Sequence, residues 1–375
     1  MIIYKSFKFE LILNHEQIRY FKRNFGCVRF ISNHALAWYK KNKENGSKLR
    51  FDSRDAMRAL EQWKIDFPWL KEYSEQIIKE AIYDLEMAFK HYYAKRLAHP
   101  KFKARGLKES FKIREGFKIE EHNNRVYLPE IGWIRYINSR ELAGSIRNIT
   151  INHKCDKFFM SVLMMSEKKL VKHSIAEVGV DLGVAQFATL SNGSVYTPLS
   201  VYRKYRHYAE KIEKKLKHKQ LNSNNRQKLK DKLAKLHNKI ANCRKDFLHK
   251  LSDSLTKKYR RIYVEDLKIS KMATTGNLLP VDELKKKKKA LNNAIMDQSW
   301  YEFRRQLEYK ANWRGGRSIK VSPINTSREC PSCHFISSDN RISRSVFKCI
   351  KCNYSNNADV VGALNILAKG KNQYV

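Results

Sequence analysis

The sequence predicts an α+β protein of several domains, in which a small antiparallel barrel or sandwich is interrupted by helices. Three observations carry this prediction. The chain has 375 residues, which suits two to four domains. Hydrophobic residues alternate with period two at the start of the chain and again over 110–165, whereas residues 14–106 show helical spacing. After residue 177, short apolar strands alternate with long basic helices.

The composition points to a polyanionic partner. The chain carries 76 Lys and Arg against 37 Asp and Glu, a formal net charge of +39. Such an excess repels itself in a compact state and is typical of nucleic-acid binding. No uncharged apolar run is long enough to cross a membrane, and the first residues lack the features of a signal peptide. Seven cysteines, four of them clustered, favour a metal site in a reducing, cytosolic compartment.

The first half of the chain begins with an alternating strand, Met1 to Leu13. Asn14 and Gln17 form a capping-box pattern that starts a helix, and a second helix follows around Ile78 to Tyr92. Short strands are predicted at Phe117/Ile119, Val126/Leu128 and Ile149/Ile151. The first strand could return to this sheet, so that the helices interrupt it.

The second half begins with an apolar strand over 178–183 and a hairpin turn at 191–194. Residues 202–255 form a basic helical hairpin with one apolar stripe. Its Lys/Arg face is predicted to line a channel for nucleic acid. Periodicity lapses between Lys268 and Leu291, a stretch that includes the run Lys285 to Lys289. We expect either a lid over 271–290 or a disordered loop there.

Four cysteines give the strongest local motif. Cys330 and Cys333 are separated by two residues, as are Cys349 and Cys352, with fifteen residues between the pairs. This spacing places four thiolates around Zn²⁺. Because four cysteines complete the shell, the zinc is predicted to be structural. His334 is an alternative ligand.

Three acidic residues lie among apolar neighbours: Asp181 within a strand, Glu265 at the end of another and Asp359 at the start of a helix. Buried carboxylates are costly unless they are paired or bind a cation. If the three converge, they could hold two Mg²⁺ ions for phosphodiester hydrolysis. The alternative for each acid alone is a pair with Lys or Arg.

These motifs resemble those of the TnpB family, the transposon-encoded RNA-guided nucleases related to type V CRISPR effectors. The resemblance lies in three segments, 178–183, 263–267 and 357–367, which are similar to the three RuvC-type motifs. It extends to Phe25–Phe30, Pro100–Lys103, Asp297–Trp300, Leu307–Lys310 and Thr326–Ser327. Two departures are His334, where glycine is common, and Val361-Gly362, where Asn-Ala is frequent. Neither removes a metal ligand.

The resemblance implies a wedge β-barrel (1–13 and 107–170), a helical recognition domain (14–106), an RNase H-like RuvC domain (171–324 and 353–375) and an inserted Cys₄ zinc ribbon (325–352). It implies that Asp181, Glu265 and Asp359 bind the catalytic Mg²⁺. It further implies a guide RNA from the transposon end and double-stranded target DNA beside a short flanking motif, in a bacterial or archaeal cell near the nucleoid. Because the ribbon lies close to Asp359 in sequence, we expect zinc loss to impair cleavage.

Eight residues are candidates for nucleic-acid contact, although each could equally be an ordinary surface residue. They are Gln76, Lys79, Tyr83, Lys101, Lys103, Arg105, Ser110 and Phe111. Three other functions stay open: a compact type V CRISPR effector, a repressor of the same fold that does not cut, and a DNA-only transposase. The intact carboxylates count against the repressor, and the full-length resemblance counts against the transposase.

Overall fold

The chain folds into two compact units, Ile2–Glu167 and the part that begins at residue 168. The computed structural model describes residues 2–44, 50–167, 173–199, 201–268 and 291–373. The expected lid, 271–290, therefore lies outside the described residues. Each unit has its own sheet and its own hydrophobic core.

The N-terminal unit contains a seven-stranded sheet in which every pair is antiparallel. The strand order is β2-β6-β7-β1-β5-β4-β3. No ladder among the described residues joins the end strands β2 and β3, so closure into a barrel stays a prediction. The strands are β1 (Ile2–Ile12), β2 (Ser110–Ile113), β3 (Lys118–Glu120), β4 (Arg125–Leu128), β5 (Gly132–Tyr136), β6 (Ser145–Lys154) and β7 (Lys157–Glu167).

The first strand does return to the sheet. It pairs with β7 along almost its whole length, from Ile2 opposite Glu167 to Leu11 opposite Phe158. Strand β1 precedes the helices and β7 follows them, so the helical segment interrupts the sheet as the sequence predicts.

Three helices lie between β1 and β2: α1 (His15–Glu44), α2 (Ser53–Asp66) and α3 (Glu75–Tyr93). The predicted capping box is present, because the Gln17 amide donates to Asn14 Oδ1 at 2.8 Å and the Asn14 amide donates to Gln17 Oε1 at 3.1 Å. The helices and the sheet share one core.

That shared core corrects one expectation. Phe111, proposed to contact nucleic acid, is buried, and its ring centroid lies 5.5 Å from those of Phe21 and Phe25 on α1. Alternation along β2 turns Phe111 and Ile113 inward and leaves Ser110 on the opposite side. Phe111 is therefore a core residue.

The second unit contains a five-stranded sheet of order β10-β9-β8-β11-β12. Strands β8, β11 and β12 are parallel, β9 runs antiparallel to β8, and β10 runs antiparallel to β9. The turn at 191–194 forms the predicted hairpin. The strands are β8 (Ile175–Asp181), β9 (Ala188–Leu190), β10 (Val195–Tyr196), β11 (Tyr259–Glu265) and β12 (Arg317–Val321).

Helices α4 (Val201–Lys217) and α5 (Asn224–Lys258) form the predicted hairpin, and α6 (Trp300–Trp313) packs against α5. Residues 291–298 are also helical. A two-stranded sheet of β13 (Val346–Lys348) and β14 (Ser355–Asn357) leads directly into α7 (Ala358–Asn372). None of the helices in the described ranges is both long and apolar enough to span a bilayer.

Candidate active site and metal centre

Two of the predicted acids end neighbouring parallel strands. Asp181 is the last residue of β8 and Glu265 is the last residue of β11. The ladder pairs Val180 with Val264, so both acids lie one residue further along, at the same edge of the sheet. The carboxyl ends of parallel strands meet at one edge, which is where α/β folds place their ligands.

The third acid reaches this edge on helix α7. Asp359 lies in the first turn, where the side chain of Asn357 caps the helix by accepting from the Asp359 amide at 2.9 Å. The helix approaches β8 very closely: a Cβ built on Gly179 would lie 2.1 Å from the Ala363 carbonyl oxygen. One built on Gly362 would lie 3.1 Å from Asp181 Oδ2. These glycines bring α7 against the strand that carries Asp181.

Asp181 lies close enough to the other two acids for their charges to act on its ionisation. Burial, then the negative charges of Glu265 and Asp359, raise the pKa of Asp181 from 3.8 to about 7, against an opposing effect of Arg341. Burial also raises the pKa of Glu265, while a hydrogen bond from Thr326 and the charge of Lys369 act in the opposite direction. A site that resists ionisation in this way is stabilised by a divalent cation.

Four polar residues around these acids were not predicted as site residues, although Thr326 and Asn365 lie in segments that carry the family resemblance. The hydroxyl of Thr326 contacts Glu265, and the amide of Asn365 holds the Thr326 backbone. Arg304 on α6 donates to the Glu265 carbonyl oxygen at 3.3 Å and to Asp266 Oδ1 at 2.9 Å. Arg341 Nη2 lies 3.5 Å from Asp359 Oδ1. Thr326, Arg304 and Arg341 are distant in sequence from the acid that each contacts, so sequence spacing alone does not predict these contacts.

The four cysteines converge as predicted. Cys330 Sγ lies 3.6 Å from Cys352 Sγ, and Cys333 Sγ lies 3.6 Å from Cys349 Sγ. All four sulfurs lie within 4.8 Å of one another. Disulfide sulfurs are separated by about 2 Å, whereas four sulfurs about 2.3 Å from a zinc ion lie about 3.8 Å apart. The thiol set therefore fits Zn²⁺.

The ribbon backbone follows the same geometry at both cysteine pairs. The His334 amide donates to the Cys330 carbonyl oxygen at 2.9 Å, and the Asn353 amide donates to that of Cys349 at 3.0 Å. Both donors are left-handed, with φ of 58° and 59°, which explains why glycine suits the His334 position. The His334 side chain contacts Glu329 instead of the cysteines.

The carboxylates do not form an equally tight set. Over the described parts of the chain, the four cysteines are the only group of three or more His, Cys, Asp or Glu whose ligand atoms lie within 4.8 Å of one another. The acids have the hard oxygen donors that suit Mg²⁺, and the charges of Glu265 and Asp359 oppose the ionisation of Asp181, which a cation would offset. The carboxylates fit a metal site with coordination positions left for substrate, whereas the four cysteines fit a site in which protein supplies every ligand.

The remaining nucleic-acid candidates lie on the N-terminal unit. Gln76, Lys79 and Tyr83 share one face of α3, and Lys79 forms an ion pair with Glu75 at 2.9 Å. Lys101 and Arg105 are exposed. Lys103 differs from them, because its ammonium donates to Ser32 Oγ at 2.8 Å and burial lowers its pKa. These placements leave their contacts with nucleic acid a prediction.

The helical hairpin carries a basic groove of about 580 Å³ between α4 and α5. Tyr205 and Tyr208 line it, and Tyr208 is 59% exposed. Lysines line both sides: Lys211, Lys215, Lys232, Lys235 and Lys239. Exposed tyrosine beside lysine is typical of surfaces that bind nucleic-acid strands.

Comparison with known proteins identifies the family. The OrfB_IS605 family, described as a probable transposase, matches residues 161–275, and its helix-turn-helix domain matches residues 1–48. The Cas12f1-like TNB domain matches residues 300–366. The chain is 40% identical to InsQ of Escherichia coli strain K12, over 98% of this chain and 92% of that protein. The chain belongs to the TnpB family.

This membership confirms the resemblance seen in the sequence motifs. InsQ is assigned as an RNA-guided DNA endonuclease, and so is a relative from Streptomyces pristinaespiralis that is 28% identical over 98% of this chain and 89% of its own length. Among solved structures, the chain is similar in fold to Cas12f1 in its complex with sgRNA and target DNA. The TM-score is 0.55 and the identity 14%, over 97% of this chain and 98% of that one. The described fold of this chain is thus similar to that of Cas12f1.

Proposed function

We propose that this protein is an RNA-guided DNA endonuclease that hydrolyses phosphodiester bonds of target DNA beside a short flanking motif. One observation carries the proposal: Asp181 and Glu265 end neighbouring parallel strands at one sheet edge, and the charge of Asp359 on α7 acts on Asp181, in a chain 40% identical to InsQ. The relatives' assigned activity supports the choice of nucleic acid and of reaction.

In the proposed mechanism, three carboxylates would bind the cations that balance the negative charge developing on the phosphate during hydrolysis. Asp181, Glu265 and Asp359 are the residues that would hold two Mg²⁺ ions. The chemistry supplied by those ions is activation of water and stabilisation of the leaving oxygen. The Thr326 hydroxyl donates a hydrogen bond to Glu265. We propose that Arg341, which lies beside Asp359, contacts a phosphate oxygen of the substrate.

The topology supports an RNase H-like RuvC domain. In the five-stranded sheet, the first three strands form an antiparallel meander, and two parallel strands follow on the other side of β8. The acids stand on the first strand, the fourth strand and the last helix. For the N-terminal unit we propose the wedge role, with its sheet as the wedge barrel and α1–α3 as the recognition domain.

The proposed partners are a guide RNA from the transposon end and double-stranded target DNA. Their heteroduplex would be bound through backbone and shape in a positive channel, which accounts for the net charge of +39. The lysine groove of the α4–α5 hairpin is a candidate part of that channel. We place the protein in the cytoplasm of a bacterium or archaeon, where the target DNA lies in the nucleoid.

The test is plasmid cleavage by protein that is co-expressed with its own locus and purified with the RNA it retains. A plasmid library with randomised flanking sequence is added with Mg²⁺. We expect linear product from the wild type and none from Asp181→Ala, although both retain RNA. Asp246→Ala, which removes an exposed acid on α5, is the control and should cut like the wild type.

Two other outcomes would change the proposal. Tight, RNA-dependent target binding without cutting by the wild type would mean a repressor. Retained RNA that derives from a CRISPR array, and not from a transposon end, would mean a type V effector with the same chemistry.

A further inference from the structure

We propose that Thr326 is a positioning residue that fixes the orientation of Glu265 toward the catalytic cations, and that Asn365 holds Thr326 in place. This inference rests on the proposed nuclease function. It concerns a hydroxyl at the base of the zinc ribbon that no catalytic step requires.

The contact itself is short and shielded from water. Thr326 Oγ1 lies 2.5 Å from Glu265 Oε1, and the two residues are 3% and 8% exposed. The same hydroxyl lies 3.0 Å from the Pro323 carbonyl oxygen. Because a hydroxyl carries one proton, it donates to the carboxylate, the stronger acceptor.

This hydrogen bond gives the two carboxylate oxygens of Glu265 different roles. Oε1 accepts the hydrogen bond from Thr326, so Oε2 is the oxygen that would hold a cation. The Glu265 backbone is held separately, by the guanidinium of Arg304 on its carbonyl oxygen. Carboxylates that bind metals are commonly oriented by such outer hydrogen bonds.

Asn365 connects this arrangement to the helix that carries Asp359. Its buried side-chain amide donates to the Thr326 carbonyl oxygen at 2.8 Å and to the Glu329 carbonyl oxygen at 2.7 Å. Both acceptors lie in the segment just before Cys330. The helix that supplies one carboxylate thereby fixes the loop that orients another.

The test separates the hydroxyl from the shape of the side chain. Thr326→Val keeps the shape and removes the hydroxyl, whereas Thr326→Ser keeps the hydroxyl and removes a methyl group. We expect the valine variant to need about tenfold more Mg²⁺ for half-maximal cleavage, since outer-shell changes cost about 10–100-fold. The serine variant should stay within about threefold of the wild type, since Ser keeps the donor.

A second readout does not depend on DNA cleavage. The RNA-loaded protein is incubated with Fe²⁺, ascorbate and hydrogen peroxide, which cut the polypeptide beside a bound ion. Fragments that end near residues 181, 265 and 359 report occupancy of the site. We expect Thr326→Val to raise the half-maximal Fe²⁺ concentration about tenfold, and Thr326→Ser to leave it unchanged. Ser327→Ala, with zinc content measured in every variant, is the control for loss of a neighbouring hydroxyl.

The outcomes distinguish this inference from the proposed function. Site-specific fragments in the wild type, with the same Fe²⁺ and Mg²⁺ dependence in Thr326→Val, would overturn the role of Thr326 alone. Greater damage in Thr326→Ser than in Thr326→Val would mean that Thr326 acts by packing, and would also overturn it. If the wild type gives neither fragments nor DNA cleavage, the carboxylate site fails, and the positioning role fails with it.

Discussion

The second unit of this protein contains two sets of candidate metal ligands that differ in how the chain assembles them. The four cysteines lie within 23 residues and form a closed group, with every sulfur within 4.8 Å of the others. The three carboxylates come from two strands and a helix and meet only because those elements pack together. The first set depends on local turns and the second on the packing of the whole sheet. Substitutions should therefore damage them differently.

The packing of α7 on β8 is where the carboxylate set should be most sensitive. A methyl group at Gly179 would lie 2.1 Å from the Ala363 carbonyl oxygen, so Gly179→Ala must push α7 away from the strand. We expect cleavage to fall more than about 100-fold, because small displacements of catalytic groups are costly. The Tm should fall as well, by the equivalent of about 1–3 kcal/mol.

Measuring bound zinc shows whether Gly179→Ala damages the carboxylate site without damaging the cysteine site. The cysteine turns do not include Gly179, so the variant should retain its zinc. Gly26→Ala on α1 is the control, since a Cβ there meets no atom within 4 Å. Cleavage at the wild-type rate by Gly179→Ala would show that the carboxylates do not depend on this contact.

The opposite experiment damages the cysteine site and measures the effect on the carboxylate site. Cys349→Ser removes one of four sulfurs, and we expect loss of bound zinc. The ribbon strand β14 runs directly into α7, and Ala358 and Val361 of that helix pack against Cys330 and Cys349. Loss of zinc should therefore displace Asp359 and reduce cleavage about 10- to 100-fold, as outer-shell changes do.

The matched control is Cys155→Ser, which changes a cysteine outside the cluster and should keep zinc and activity. Zinc is measured by elemental analysis and cleavage on the plasmid substrate. Full cleavage by zinc-free Cys349→Ser protein would refute the coupling between the ribbon and the carboxylates.

The same contrast explains what the sequence could predict. The cysteine spacing indicated the ribbon, because its geometry is encoded within two short turns. The three acids could be selected as unusual charges among apolar residues, but the pairing of Val180 with Val264, which aligns two of them, is a property of the folded sheet. Thr326 lies in a family motif, but nothing in the sequence shows that its side chain contacts Glu265, and Arg341 has no local signal.

The N-terminal unit gives an instructive error. A period-two pattern shows that Phe111 and Lys112 face opposite sides of a strand, but it does not show which side packs on a helix. Phe111 packs against the rings of Phe21 and Phe25 on α1, so its side of the strand faces the core. Strand β5 was missed too, since Gly132 and its short length hide its alternation.

The raised pKa of Asp181 predicts that Asp181→Asn is more stable than the wild type, and that the difference grows with pH. The pKa of Asp181 is about 7 in the folded chain, against 3.8 ordinarily. Ionisation therefore opposes folding, and without Mg²⁺ the stability of the wild type falls as the pH rises from about 4 to 7. Asp181→Asn removes this cost, so its Tm should exceed that of the wild type by about 2–8 °C at pH 8 and hardly at all at pH 4.

Thermal unfolding in Mg²⁺-free buffer at the two pH values checks this. Asp246→Asn, an exposed acid, is the control and should show no such pH-dependent difference. Equal Tm values for Asp181→Asn and the wild type at pH 8 would mean that burial and the neighbouring acids do not raise the pKa of Asp181 in the folded protein.

The smallest expected effect concerns the lysine groove, which belongs to neither ligand set. Lys211→Ala removes one charge from the groove between α4 and α5. If a nucleic-acid strand lies there, its affinity should fall a few-fold, and the slope of log K against log salt should fall by about 0.7–0.9, the value of one phosphate contact.

Lys250→Ala is the control on α5, because that ammonium is already paired with Asp246 at 2.7 Å. Guide-RNA binding at several salt concentrations measures both slopes. Identical slopes for Lys211→Ala and Lys250→Ala would remove the groove from the nucleic-acid surface, while leaving the carboxylate and cysteine sites unaffected.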